Sequence, residues 1–224
     1  MTAINAFATS DAVHIFSDGG WHDPATGALL GIGGKVYALP DYNAAIAATG
    51  SSIVGQMLSS YLIEHRFADF GSLAAALPEW TKACVELSKT LPGGRDWGKF
   101  DVILGGWSKV TGPGIHLLKG YSDGGWPAYR SVELKRYMRP SVGVIPELPA
   151  ESVGEFGLYL LTKQRATECV LPTGERRFVV HGFAQHTSIS VEGISMRVLE
   201  HWPDKVGQLI APVPKRPAAG TFGL

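Results

Sequence analysis

Residues His14 to Trp21 read HIFSDGGW, an alternating apolar segment that stops on an acid and two glycines, and its last five letters recur at Ser122 to Trp126. Asp-Gly is turn chemistry, because Gly accepts positive φ and Asp can bond its own backbone. What precedes each copy separates them. The first closes the run TAINAFATSDAVHIF, in which Ile4, Ala6 and Ala8 alternate with Ala3, Asn5, Phe7 and Thr9. After Ser10-Asp11, Val13 and Ile15 alternate with His14 and Phe16. Period two on both sides of a turn predicts an N-terminal β-hairpin that ends at Asp18. The second copy follows GIHLLKGYS and reads as an exposed loop between strands.

Working outward, residues 22–34 are rich in glycine and read as a loop. KVYALPD and AAIAATG then form a second strand pair around Pro40-Asp41-Tyr42-Asn43, apolar on both faces and therefore buried. From Ser51 the period becomes helical: Ile53, Met57, Tyr61 and Leu62 share a face behind Ser51 or Ser52 as N-cap. LAAALPEWTKACVELSKTL predicts a second helix with Pro78 near its first turns, closed by Pro92-Gly93-Gly94. In the second half FDVILGGWS and GPGIHLLKGYS read as a hairpin, and VELKRYMRPSVGVIP as an irregular strand or loop. AESVGEFGLYLLTKQRATECV reads as a helix capped at Glu151 or Ser152, and RRFVVHGFAQHTSISVEGISMRVLEHW as two final strands. The order ββββ, αα, ββ, α, ββ predicts an α+β fold with two antiparallel sheets between helical layers. One domain over residues 1–211 is expected, with residues 212–224 a proline-rich C-terminal extension.

Composition narrows the function. Twenty basic and twenty acidic residues cancel without a long block of either sign, which argues against a nucleic-acid partner. No apolar run is long enough for a membrane span, and no basic-then-apolar leader opens the chain. Cys84 and Cys169 lack CxxC spacing and read as free thiols of a reducing compartment, so a soluble cytoplasmic protein is expected.

The residues resemble those of the β-type subunits of the proteasome and their bacterial relatives, the HslV protease partner of the HslU ATPase and the Anbu proteins, all N-terminal-nucleophile (Ntn) hydrolases. The resemblance is carried by Thr2 behind the initiator Met, by FSDGG with Asp18, by Lys35 in GGKVYAL, and by AATGSS around Gly50 before a helix. It spans about the first 90 residues and implies a four-layer αββα Ntn-hydrolase sandwich. It also implies a threonine-type peptidase in which Thr2, once Met1 is removed, attacks a peptide carbonyl and carries the acyl group as an ester. A Thr hydroxyl needs a base, and an α-amino group with a pKa near 8 on the same residue can serve. Lys35, buried and charged, needs the anionic partner that Asp18 supplies. The Gly50 N–H suits the oxyanion. By the same resemblance Ala48, Ser52 and Gln56 line the pocket for the side chain before the cleaved bond, with Trp21 near its entrance. Small Ala48 and Ser52 and a Gln56 floor predict an open pocket for neutral, medium to large apolar residues. The resemblance further implies a homo-oligomer, a peptide or unfolded-protein substrate and, as an option, an ATPase partner; no metal or organic cofactor is implied. Two other readings stay open: a non-catalytic subunit that builds rings or helical arrays, and an amidase for a small non-peptide substrate.

The family's accessory residues are less well matched. Its glycine-serine turn corresponds to Ser141-Val142-Gly143, its later Asp and Ser to Glu168 and Thr173, and the Arg two positions after the Asp to Gly20; a helix is shortened or lost. GIGGKV lacks phosphate-loop spacing and is followed by a strand. His14, His22, His181 and His186 lack metal-ligand spacing and read as satisfied or exposed histidines. Six scattered Trp residues make no stacking platform.

Overall fold

The computed structural model describes residues 2–23, 25–91, 94, 96–144, 147–149, 151–170 and 174–210. Met1, Thr173 and the proline-rich extension lie outside the described residues. The strands are β1 (Ile4–Ala8), β2 (Ala12–Asp18), β3 (Gly20–His22), β4 (Leu29–Ile32), β5 (Val36–Leu39), β6 (Ala44–Thr49), β7 (Asp101–Ser108) and β8 (Gly112–Lys119). They continue as β9 (Ser131–Leu134), β10 (Arg136–Arg139), β11 (Cys169–Val170), β12 (Arg176–Arg177), β13 (Phe183–Ser190) and β14 (Gly193–His201). Helices α1 (Ile53–Ile63) and α2 (Phe70–Thr90) follow β6, and α3 (Val153–Arg165) follows β10.

Two five-stranded antiparallel sheets organise these elements, in the orders β10-β1-β2-β13-β14 and β5-β6-β7-β8-β9. The hairpin read from the first residues pairs Ile4 with Ser17 and Ala6 with Ile15, so its alternation places two sets of side chains on opposite faces. Ile4, Ala6, Val13 and Ile15 meet Val36, Ala45, Ala47, Ile103 and Ile115 of the other sheet in one buried cluster. Phe7 and Phe16 turn the other way, into a cluster with Leu160 and Leu161 of α3. Leu58, Leu62, Leu73 and Leu77 of α1 and α2 pack with Ile46, Val102 and Leu104 of the second sheet. Burial of aliphatic side chains at about 25 cal/mol per Å² makes these clusters the main favourable contribution to the fold.

Helix α3 sits flush on its sheet because Gly157 faces Phe16, whose ring a Cβ would overlap. A buried amide pair fixes its far end: Asn5 Nδ2 donates to Gln164 Oε1 at 2.8 Å, and Gln164 Nε2 returns a bond to Asn5 Oδ1 at 2.9 Å. Both amides are thereby satisfied in a site without solvent.

Several elements differ from the sequence reading. The 22–34 loop supplies β4, which pairs with β3 just before it as a hairpin, and the segment 132–146 supplies most of β9 and all of β10, one to each sheet. Pro78 is interior to α2, because a reciprocal Asp69–Ser72 capping box starts that helix at Phe70. Helix α3 stops at Arg165, and Cys169–Val170 pairs instead with β12. Both cysteines are buried and unpaired, and burial pushes the Cys84 thiol up to about 11. Among the described residues no helix is long and apolar enough to cross a membrane.

Candidate active site

The site forms where the two sheets end together. On the first sheet β1 begins, β2 ends and β13 begins at the same level, with Asp18 opposite Ala184 and its amide bonded to the Ala3 carbonyl at 3.3 Å. On the second sheet β5 begins beside the end of β6, and α1 starts three residues past Gly50. The local sequence dictates this layout: the period-two run stops at Asp18, and Gly19-Gly20 redirects the chain into β3. A Cβ on Gly20 would lie 2.8 Å from the His181 ring, so glycine is what allows the approach.

Asp18 is wholly buried and Lys35 is 4% exposed. Lys35 Nζ donates to both Asp18 oxygens, at 2.9 and 2.8 Å. The carboxylate also accepts from the Ala3 amide at 2.8 Å, from the His181 amide at 3.2 Å, from His181 Nδ1 at 3.3 Å and, more loosely, from the Gly20 amide at 3.4 Å. Burial holds the Lys35 pKa below its ordinary value, and Asp18 pulls the other way. Burial likewise pushes His181 down to about 4 and His22, 5.1 Å away between ring centres, down to about 3. Both imidazoles are therefore neutral at pH 7.

Thr2 and Lys35 line one small cleft with Trp21, Tyr37, Ala48, Ser52 and Gly55. The structure thus brings together Thr2, Lys35, Trp21, Ala48 and Ser52, and ties Asp18 to Lys35 from behind. Gly50 sits at the end of β6 with φ +97°, a conformation that favours glycine, and a Cβ there would collide with the Lys99 carbonyl. Gln56 corrects the sequence reading: it is exposed and does not line the cleft, because Val54, Gly55 and Leu58 occupy the inward face of α1. Among the described residues the cleft is small. Tyr37 leans on Gly55, whose Cβ would lie 2.8 Å from the Tyr37 ring, and the cleft measures about 10 Å³, room for about one water.

Of the positions matched to the family's accessory residues, Gly20 lies at the site through its amide, whereas two others are on the surface. Ser141 is exposed and donates to the Gly143 carbonyl at 3.1 Å, and Glu168 pairs with Arg176 on the surface. What touches Asp18 instead is His181, read from sequence as one of several satisfied or exposed histidines. Tyr37 was missed as well, although its spacing of two from Lys35 is the period that puts alternate residues on one face. The second SDGGW is a tight two-residue turn: Asp123 and Trp126 exchange backbone bonds at 3.0 and 2.8 Å, and Gly124 and Gly125 both have positive φ. Its Asp123 is exposed and pairs with Lys119 at 2.7 Å. Identical letters therefore serve as a buried anion in one place and a surface turn in the other.

No family model matches the chain, and no curated protein matches it in sequence. Among solved structures it is similar to "Anbu (ancestral beta-subunit)" from Yersinia bercovieri, with a TM-score of 0.61 at 12% identity, over 89% of this chain and 88% of that one. The likeness is one of fold.

Proposed function

We propose that this protein is a divergent, proteasome-like Ntn hydrolase, its sheets and helices the four layers of an αββα sandwich in a single domain through residue 211, and that Thr2 is its nucleophile. The observation that carries the reading is the bidentate bond of buried Lys35 to Asp18 beside a cleft lined by Thr2. Removal of Met1 leaves the Thr2 amine as the base. The amine takes the hydroxyl proton, Oγ1 attacks the amide carbon, and the Gly50 N–H faces the resulting oxyanion. The ammonium returns the proton to the leaving amine, and water then hydrolyses the ester on Thr2 by the same base. Lys35, held positive by Asp18, lowers the pKa of the hydroxyl and the amine and so favours proton transfer.

Thr2→Ala is expected to reduce cleavage of fluorogenic peptides below about one thousandth of the wild-type rate while leaving the unfolding midpoint within the small range usual for such truncations. Full retention of turnover would remove Thr2 from the mechanism. Cleft size sets the specificity: with Tyr37 in place, peptides carrying Gly or Ala before the scissile bond are expected to react faster than those carrying Leu or Phe. Tyr37→Ala should reverse that order by opening space above Gly55, and an unchanged order would show that Tyr37 does not gate the site. The same small cleft favours the second reading, an amidase for a small non-peptide substrate, over cleavage after bulky residues.

Assembly belongs to the proposal too. Ile53 and Ile63 of α1 and Leu87 of α2 are 43%, 55% and 44% exposed, and these apolar outer faces suit contacts between copies in a homo-oligomer. A cytoplasmic setting suits the two free thiols. An ATPase partner would deliver unfolded chains if the substrate is a protein.

A further inference from the structure

Besides Lys35 and the backbone amides of Ala3 and Gly20, Asp18 receives donors from the segment Val180-His181-Gly182, which lies immediately before β13 and is held at nearly every backbone group. Arg165 Nη1 donates to the Val180 carbonyl at 2.9 Å, Gly19 N to the His181 carbonyl at 3.1 Å, and Trp202 N to the Gly182 carbonyl at 2.9 Å. Gly182, at φ +83°, donates its amide to Asp204 at 2.8 Å. Asp204 in turn grips Arg165 through two bonds, at 2.8 and 2.7 Å, and the guanidinium lies 4.8 Å from the Trp202 ring centre.

This frame leaves His181 no exposed surface and aims it at one oxygen of the carboxylate. Its amide and its Nδ1 both reach Asp18 Oδ2, while Oδ1 takes the Ala3 amide and Lys35 takes both oxygens. Because a carboxylate only accepts, the Nδ1–Asp18 contact fixes the tautomer: Nδ1 carries the proton and Nε2 is an acceptor. His181 Nε2 is buried and has no hydrogen-bond partner among the described residues. A His kept in a site where one ring nitrogen goes unsatisfied costs stability, and Leu would fill the space without that penalty. The contact to Asp18 is what the residue supplies in return.

We propose that His181 is a positioning residue that, through Nδ1–H and its amide, locks the Asp18 carboxylate in the plane that presents both oxygens to Lys35. The inference rests on the catalytic reading of Thr2 and Lys35 given above. It assigns to a neutral imidazole the supporting part that Ser141 and Glu168 do not play. A carboxylate free to rotate would let the ammonium drift from the hydroxyl it is meant to influence, and a misplacement of about 1 Å costs up to about a hundredfold in rate.

The test compares wild type with His181→Asn, whose side-chain amide can still donate near the Nδ1 position, and His181→Leu, which cannot. With an alanyl-aminomethylcoumarin peptide, kcat is expected to fall about ten- to a hundredfold in His181→Leu with KM within about twofold, and to recover to within about threefold of wild type in His181→Asn. Equal activity in all three, or an Asn variant as poor as Leu, overturns the proposal. Nitrogen-15 NMR of the His181 ring in the wild-type protein supplies a readout independent of turnover and of variant folding. The Nδ1–H neutral tautomer from pH 8 to 5.5 is expected, and an Nε2–H tautomer or an imidazolium at pH 6 overturns the assignment. Absence of any cleavage by wild type would defeat the catalytic reading, and the ring assignment would still decide whether His181 holds Asp18.

Discussion

Asp18→Ala is expected to cost about 3–5 kcal/mol of stability, near the upper end for a single substitution. Removal of the carboxylate leaves the Lys35 ammonium buried without a counter-charge, and it also strips acceptors from the amides of Ala3, Gly20 and His181 and from His181 Nδ1. The second effect distinguishes this pair from a simple buried ion pair, for which apolar replacement of both partners is often neutral. Here Lys35→Met is expected to be milder than Asp18→Ala, because the carboxylate keeps its N–H donors when the ammonium goes. The double variant should recover the part of the Asp18→Ala loss that comes from the unpaired ammonium and keep the part that comes from the stripped N–H donors. Urea unfolding with an unchanged slope would measure all three. A loss under about 1 kcal/mol in Asp18→Ala, small for an unpaired buried charge, would show that the network does not hold the fold together.

The second large effect is acid lability. Burial holds His14, His22, His116, His181 and His186 below their ordinary 6.5, with His181 and His186 at about 4. In the unfolded chain each takes up its proton near pH 6.5. Between that value and the folded value the unfolded state binds more protons, so stability is fully present above pH 6.5 and is lost as pH falls. Each fully buried histidine contributes about 1.4 kcal/mol per pH unit across that window. His181 and His186 are 0% and 5% exposed, so together they remove several kcal/mol by pH 4.5, comparable to the whole stability of a domain of this size. The His14–His186 pair adds a geometric reason: Nδ1 of one lies 3.1 Å from Nε2 of the other, an arrangement that needs one donor and one acceptor. A second proton would set two N–H groups against each other. Urea midpoints at pH 7.5, 6 and 5 should fall steadily, with uptake of about two or more protons on unfolding at pH 5. A flat profile to pH 4.5 would contradict the burial of these rings.

The period-two run around HIFSDGGW was enough to place the first hairpin, because each strand buries one residue set between the sheets and the other under α3. Asp18 and Lys35 were singled out by the family resemblance and not by local pattern: β2 lies in one sheet and β5 in the other, and the two side chains meet because both sheets end together there. His181 was not legible. It lies 163 residues from Asp18, before a strand whose place beside β2 is a matter of sheet order rather than of local pattern. Gln56 was placed at the pocket floor by the resemblance alone, whereas the inward face of α1 is set by Val54, Leu58 and Leu62 and leaves Gln56 exposed. The fate of β9 and β10 was hidden by length, since four-residue strands that go to different sheets carry too little periodicity to be told from a loop.

The most direct test of Thr2 as an N-terminal nucleophile is mass spectrometry of the purified protein before and after treatment with a β-lactone acylating agent. The account predicts an intact mass lacking Met1, and after treatment one acyl group located by fragmentation on Thr2. A retained Met1, or an acyl group on any other residue with Thr2 unmodified, would contradict it.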